Sequence, residues 1–291
     1  MANILGIGVA VLDIINTVDG YPPEDAKVRA LSQRVACGGN AANTLAVLAT
    51  LGHHCALAAT FADDADGRRL REDLSALGVD TAPCRIHASG RTPVSYILHN
   101  RRNGSRTIVH HRELPEYDNA DFARLALANY DWLHFEGRSV AATRRMLEHA
   151  RAARVPMISL EVEKPRDGIE ALFDVPPVLL FGRDYVSSVT SAETPEDFLR
   201  AMHAHYLEKQ IVCAWGKAGA YAIDHTGELL RSPAFKPEHL VDTLGAGDTF
   251  NAGMIDALLK KETLAQALAS ACRLAGEKCG TEGIARVLHT E

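Results

Sequence analysis

The stretch Val241-Asp242-Thr243-Leu244-Gly245-Ala246-Gly247-Asp248-Thr249-Phe250 decides how this chain is read. A Gly-Ala-Gly turn runs straight into a helical pattern whose apolar residues recur at Phe250, Met254 and Leu258. The first amides of a helix have no internal acceptors, and the macrodipole is positive there. Small residues let a phosphate or a developing oxyanion come close to that backbone. Asp248 stands at the helix start, where a carboxylate can take the proton of an attacking hydroxyl. Taken alone, Asp248 reads first as an acidic N-cap, which is common at a helix start. The glycine turn and the upstream Asp242 favour phosphoryl-transfer chemistry.

Two further constellations lie outward from this stretch. In Gly38-Gly39-Asn40-Ala41-Ala42-Asn43, two glycines open a helix, and Asn40 and Asn43 share one face. Asn both donates and accepts, which suits the hydroxyls of a polyol, although a plain helix start with Asn40 as cap reads equally well. Trp215-Gly216-Lys217-Ala218-Gly219 follows the apolar run Ile211–Ala214. Such strand-end glycine turns hold nucleotides in open α/β sheets, but ordinary turns look the same. Gly6-Ile7-Gly8 lacks the third glycine of a dinucleotide fingerprint, because position 11 is Val11; a nicotinamide oxidoreductase is disfavoured. No GxxxxGK[ST] loop is present.

Apolar runs at Asn3–Val9, Cys55–Phe61, Trp132–Glu136, Pro156–Glu161, Val178–Phe181 and Gln210–Ala214 read as strands buried on both faces. Helical patterns at Asn40–Leu51, Arg68–Leu77, Val140–Ala153 and Pro195–Tyr206 alternate with them, and Gly247–Leu259 and Leu264–Cys279 follow. The alternation predicts an αβα sandwich with a mostly parallel sheet. Val11–Val18 with Ala30–Cys37, and Pro93–Asn100 with Arg106–His111, read as antiparallel pairs, the second turning at Asn103-Gly104. Together they predict a small β-sheet lid of residues 13–37 and 89–113 on a core of 1–12, 38–88 and 114–291. Val94, Tyr96 and Leu98 give the lid an alternating apolar face, so a homodimer through the lid is expected.

Composition excludes several classes. The formal net charge is -6, with Lys and Arg dispersed, so no nucleic-acid partner is expected. No apolar run is long enough to span a bilayer, and the first residues do not resemble a signal peptide, so a cytoplasmic chain without a membrane partner is expected. The six cysteines have no CxxC spacing and are expected to be reduced. Neither His53-His54-Cys55 nor His110-His111 suits a metal, because neighbours on a strand point to opposite faces.

With these residues in view, Gly38-Gly39-Asn40 and Asp242 to Phe250 resemble the two signatures of ribokinase-like carbohydrate kinases. Val11-Leu12-Asp13, Leu31-Ser32-Gln33-Arg34, Gly104-Ser105-Arg106-Thr107-Ile108, Glu136-Gly137-Arg138, Glu161-Val162-Glu163-Lys164-Pro165-Arg166 and Lys278-Cys279-Gly280 are similar to the ketohexokinase branch of that family, along almost the whole chain. The resemblance implies an ATP-dependent kinase that phosphorylates fructose at C1. By the match, Asp13, Gly39, Asn40 and Asn43 hold sugar hydroxyls. Asp248 is the base, and Gly245, Ala246 and Gly247 form the anion hole. Arg106 reaches the phosphates, Gly216, Lys217, Ala218 and Gly219 flank the nucleotide, and Cys272 lines its adenine pocket. Magnesium accompanies ATP, and potassium is expected near Asp242. The family's Asn-x-x-Glu motif is missing at Phe181-Gly182-Arg183-Asp184-Tyr185-Val186, which leaves Glu161 and Glu163 as candidate water-mediated magnesium ligands. A kinase for tagatose, ribose or a nucleoside, and a silent sugar-binding protein, are the competing readings.

Overall fold

The computed structural model describes residues 1–189 and 194–284. The chain end at 285–291, part of the expected core range, lies outside the described residues. Its first apolar run is β1 (Asn3–Ile7), followed by β2 (Val11–Val18), β3 (Ser32–Gly38) and helix α1 (Asn40–Thr50). Next come β4 (His54–Ala58), β5 (Thr60–Ala62), α2 (Ala65–Ala76), β6 (Val79–Asp80), β7 (Arg85–His87), β8 (Val94–Asn100) and β9 (Arg106–His111). A short α3 (Asn119–Phe122) leads into the regular alternation β10 (Trp132–Glu136), α4 (Val140–Ala152), β11 (Met157–Val162), β12 (Val178–Gly182), α5 (Arg183–Val189), α6 (Pro195–His205) and β13 (Gln210–Ala214). The chain closes with β14 (Ala220–Ile223), β15 (Leu229–Ser232), α7 (Ala246–Leu259) and α8 (Leu264–Cys279).

Nine strands form one sheet in the order β15-β14-β13-β12-β11-β10-β1-β4-β6, parallel except for β14 and β15. From β1 the chain steps outward to β4 and β6, and from β10 it steps the other way to β13. The switch point therefore lies between the carboxyl ends of β1 and β10, where open α/β sheets take their ligands. Leu45, Phe250 and Leu268 from α1, α7 and α8 fill one face. Phe122, Leu147, Tyr185 and Phe198 from α3 to α6 fill the other. Leu45 and Leu48 are fully buried, each contributing about 2 kcal/mol by leaving water. Gly253 lets α8 lie close to α7, since a Cβ there would meet the Ala271 Cα at 2.7 Å.

Two expectations need correction. The run Cys55–Phe61 is not one strand: at Ala59 the chain leaves the main sheet, that carbonyl accepts from Arg85 N (2.9 Å), and β5 pairs with β7 instead. Between Ala214 and the helix at Gly247, where sequence placed no strand, the β14–β15 hairpin extends the sheet. Its turn is held by Asp224, whose Oδ1 accepts from the amides of Thr226 (2.9 Å) and Glu228 (3.0 Å).

The second sheet runs β3-β2-β8-β9. Both hairpins are antiparallel, while β2 and β8 pair in parallel. Its register sorts the side chains into two faces. Ala36, Asp13, Ser95 and His110 form one row across the four strands, flanked by the row Arg34, Ile15, Ile97 and Ile108. The opposite face carries Val35, Ile14, Tyr96 and Val109 in one row. Tyr96 is 53% and Val109 64% exposed. Among the described residues, no helix is long and apolar enough to cross a membrane.

Candidate active site

Asp248 lies in the first turn of α7, buried, with Gly245 as N-cap at φ 75°. Asn43 Nδ2 donates to its Oδ2 (2.6 Å), and the Thr44 hydroxyl donates to its main-chain carbonyl (3.2 Å). The glycine-opened helix α1 and the glycine-opened helix α7 therefore meet at this carboxylate. The Ala246 amide reaches Thr243 O (3.3 Å), whereas those of Gly247 and Asp248 have no acceptor among the described residues. A Cβ on Gly247 would meet nothing within 4 Å, so open space lies beside these donors. The arrangement offers an oxyanion two amides and the positive end of a helix.

Gly39 has φ 110°, and a Cβ there would meet Val9 O at 2.0 Å, so only glycine allows this turn. Behind it, Glu136 caps α1 from another strand: its Oε1 accepts from Ala41 N (2.7 Å) and Val9 N (3.2 Å). Gly8 makes room for that carboxylate, because a Cβ on Gly8 would meet Glu136 Oε1 at 2.3 Å. The Gly6-Ile7-Gly8 pattern thus accommodates Glu136 and, at Gly6, the Leu45 side chain.

Asn40 is the first residue of α1, and its amide nitrogen donates to Glu161 Oε1 (3.1 Å) and Glu163 Oε2 (3.2 Å). Both asparagines expected to hold a sugar are therefore bonded to carboxylates through their nitrogens, which leaves their carbonyl oxygens as acceptors. Asp13 projects from β2 against Gly38, whose Cβ position lies 2.2 Å from Asp13 Oδ2. Arg106, on β9, donates from Nη1 to the Thr243 hydroxyl (3.3 Å). The second sheet thus touches the 242–248 stretch directly, and Arg34 on β3 does so again through Asp242 Oδ2 (2.7 Å).

Five carboxylates, Asp13, Glu136, Glu161, Glu163 and Asp248, share this space. Burial, then the charges of Glu163, Glu136 and Asp13, push Asp248 up to about 8, although Asn43 opposes the shift. Burial and the nearby Asp248 hold Glu161 well above its ordinary value. Burial raises Glu136, opposed by Arg138 and the two backbone amides. Burial likewise pushes Asp13 to about 6 against Ser95 and Arg34. An acidic cluster of this kind, offset only in part by Arg138 and Arg34, suits a substrate that arrives with a divalent cation. Glu161 fits that cation, because its Oε2 is buried and has no partner among the described residues. Glu163 is held beside it by Asn40. Magnesium characteristically takes one or two carboxylates together with phosphate oxygens.

Potassium does not fit the Asp242 carboxylate. Lys278 Nζ, fully buried, donates to Asp242 O (2.8 Å) and lies 3.5 Å from its Oδ2, where Arg34 also binds. Burial alone would raise Asp242, but the amides of Leu244 and Gly283 and the charges of Lys278 and Arg34 bring it below its ordinary value. Burial pushes Lys278 down, and Asp242 offsets that only in part. Two fixed cations already balance this carboxylate, so no step is assigned to potassium.

The nucleotide candidates lie along the sheet. Gly216, Lys217 and Ala218 form a single 3-10 turn after β13. Gly219 has φ 94°, and a Cβ there would meet Ser232 O at 2.0 Å. Cys272 of α8 is buried with its Sγ 3.9 Å from the same Ser232 carbonyl. The structure therefore joins this loop and Cys272 through Ser232, apart from the Asp13 to Asn43 group. Arg34, Glu136 and Lys278 stand in the stretches that carry the family resemblance, but sequence assigned no role to them, nor to Ser95 and Gly276. A charged residue ending the apolar run Trp132–Phe135 was the available signal for Glu136. Gly276 of α8 abuts Phe235 O, 2.4 Å from its Cβ position.

The chain matches the pfkB family of carbohydrate kinases over residues 1–291. It is 39% identical over 289 residues to ketohexokinase of Mus musculus, covering 96% of this chain and 97% of that one. It is 27% identical over 295 residues to the ATP-dependent ribose-1-phosphate kinase of Halopiger xanaduensis, covering 97% and 94%. Ribokinase of Arabidopsis thaliana, solved with ribose and ATP, shares the fold with a TM-score of 0.81 at 20% identity, over 100% of this chain and 99% of that one.

Proposed function

Because this chain belongs to the pfkB family of carbohydrate kinases, we propose that it transfers the γ-phosphoryl group of ATP to the C1 hydroxyl of a ketohexose, fructose in the first place. The observation that carries the reading is the buried Asp248 carboxylate, held by Asn43 and set beside the amides of Gly247 and Asp248, which have no acceptor among the described residues. A base, an anion hole and a polar cleft for the acceptor meet at one point, and a protein that only bound sugar would need no base.

In this reading the primary hydroxyl of the sugar lies against Asp248 Oδ1, the oxygen that Asn43 leaves free. Asp13 accepts further hydroxyls, and the carbonyl oxygens of Asn40 and Asn43 accept others. Asp248 takes the hydroxyl proton as the oxygen attacks phosphorus. A carboxylate raised towards neutrality is a stronger base than an exposed one. Charge growing on the transferred group meets the amides at the start of α7 and the guanidinium of Arg106. Magnesium bound with ATP would neutralise phosphate charge, and Glu161 and Glu163 are the residues that would hold it through water. Gly216 to Gly219 and Cys272 flank the nucleotide. Segments 13–37 and 89–113 act as the lid that excludes water, and Arg34 and Arg106 draw it onto the core.

Identity to a ketohexokinase favours a ketohexose, while the match to a ribose-1-phosphate kinase keeps other furanose-like acceptors in view. Release of ADP across a panel of fructose, tagatose, ribose and nucleosides separates these readings. Brisk turnover of ribose or a nucleoside with none of fructose would defeat the ketohexose assignment and leave the kinase standing. No turnover of any member would favour a silent binder.

A further inference from the structure

The inner row of the second sheet holds a line of polar groups of which the kinase reading uses only Asp13. Asp13, Ser95 and His110 stand directly opposite one another on β2, β8 and β9. The Ser95 hydroxyl, next to Asp13 in this row, holds the Asp13 carboxyl below where burial alone would put it, as a donor to that carboxyl does, and His110 Nδ1 lies 3.2 Å from Ser95 Oγ. Ser95 is buried, whereas His110 is exposed on the side of the sheet that also carries Arg34 and Arg106. Those two arginines reach Asp242 and Thr243, so this face looks onto the cleft.

The directions of the bonds follow from chemistry. The hydroxyl proton of Ser95 goes to Asp13, since a carboxylate only accepts. Ser95 Oγ then accepts from His110, which places the ring proton on Nδ1 and leaves Nε2 as a bare acceptor. The groups around the imidazole oppose a second proton: after burial, the charges of Arg138, Arg112, His111 and Lys164 each lower His110. The neutral ring is therefore the form that faces the cleft. Around Asp13 stand Ser95, Arg34 and Asp248.

We propose that His110 is a further sugar-recognition residue, whose Nε2 accepts a substrate hydroxyl while the Asp13–Ser95–His110 row holds it in place. Asp13 and His110 then offer two acceptors from one row of the sheet. The inference rests on the sugar-kinase reading and adds a contact to it. A hydroxyl bond to a neutral ring is worth about three- to tenfold in affinity.

The test replaces His110 by Asn and by Gln. His110→Asn keeps a donor at the Nδ1 position and the bond to Ser95 but has no atom at Nε2. His110→Gln restores a polar group near Nε2. The expected result for His110→Asn is a sugar KM raised about three- to tenfold, with kcat and the ATP KM little changed. His110→Gln recovers part of that loss. Nitrogen-15 NMR of labelled histidine gives a readout independent of activity: the free protein shows the Nδ1–H tautomer at His110, and the Nε2 resonance moves when sugar is added. An Nε2–H tautomer, or an unchanged sugar KM in His110→Asn, overturns the inference while wild-type turnover of sugar leaves the kinase reading intact. A wild-type protein that phosphorylates no sugar overturns both.

Discussion

Replacing Asp248 by Asn keeps the side-chain shape and an acceptor for Asn43 but removes the charge. General-base removal costs about 10²–10⁴-fold in kcat, and ATP binding, which rests on other residues, should be largely kept. The same change has a second effect whose sign follows from the titration. Asp248 is raised from 3.8 to about 8, so its contribution to stability is full below pH 4 and is lost as pH rises through about 8. Holding the ionised form in place costs up to about 6 kcal/mol at high pH. Glu161 titrates against Asp248, so removing one charge relieves only part of that cost. Asp248→Asn should therefore be inactive yet melt roughly 5–10 °C higher than the wild type at pH 9, with the gain fading towards pH 5. Single-turnover kinetics and calorimetry at the two pH values read both effects. More than a tenth of wild-type kcat would refute the base assignment. A variant no more stable at pH 9 would refute the crowded, desolvated carboxylate on which it rests.

Other perturbations follow from the same geometry. Arg106→Ala should lower kcat far more than it raises the sugar KM, because the guanidinium acts on phosphoryl charge; steady-state kinetics with sugar varied checks this, and a KM effect alone would move Arg106 to substrate binding. Lys278→Met should cost roughly 3–5 kcal/mol in a denaturant titration, since it removes the buried donor to the Asp242 carbonyl and leaves Arg34 as the carboxylate's remaining cation among the described residues. In the row Val35, Ile14, Tyr96 and Val109, the exposed end at Tyr96 and Val109 should be covered by a second copy. Light scattering at micromolar concentration should show a dimer that Tyr96→Asp with Val109→Asp dissociates, and a wild-type monomer would end that idea.

What was legible in the sequence was local. The helix starts at Gly39 and Gly245 announce themselves because glycine and small residues at those turns are demanded by backbone conformation. The alternation of buried strands with amphipathic helices placed the main sheet, and Asn103-Gly104 placed the β8–β9 hairpin. The missing parts are contacts made at long range. Asn40 and Asn43 looked free to bind sugar, yet each donates to a carboxylate more than a hundred residues away. Glu136 caps α1 from 95 residues downstream, which no spacing rule could show. The parallel pairing of β2 with β8 joins two hairpins that each looked self-contained, and that pairing is what aligns Asp13, Ser95 and His110. Asp242 looked like a lone acid near an anion hole, because Lys278 reaches it only when α8 packs beside α7.

The measurement that bears most directly on the central claim is the identity of the product made from fructose and ATP. Phosphorus-31 and carbon-13 NMR of the reaction mixture distinguish the two primary positions and show ADP release in the same sample. The account predicts fructose 1-phosphate and stoichiometric ADP, with both signals absent in Asp248→Asn. Fructose 6-phosphate would contradict the placement of C1 against Asp248, and no phosphorylated fructose at all would contradict the ketohexose reading itself.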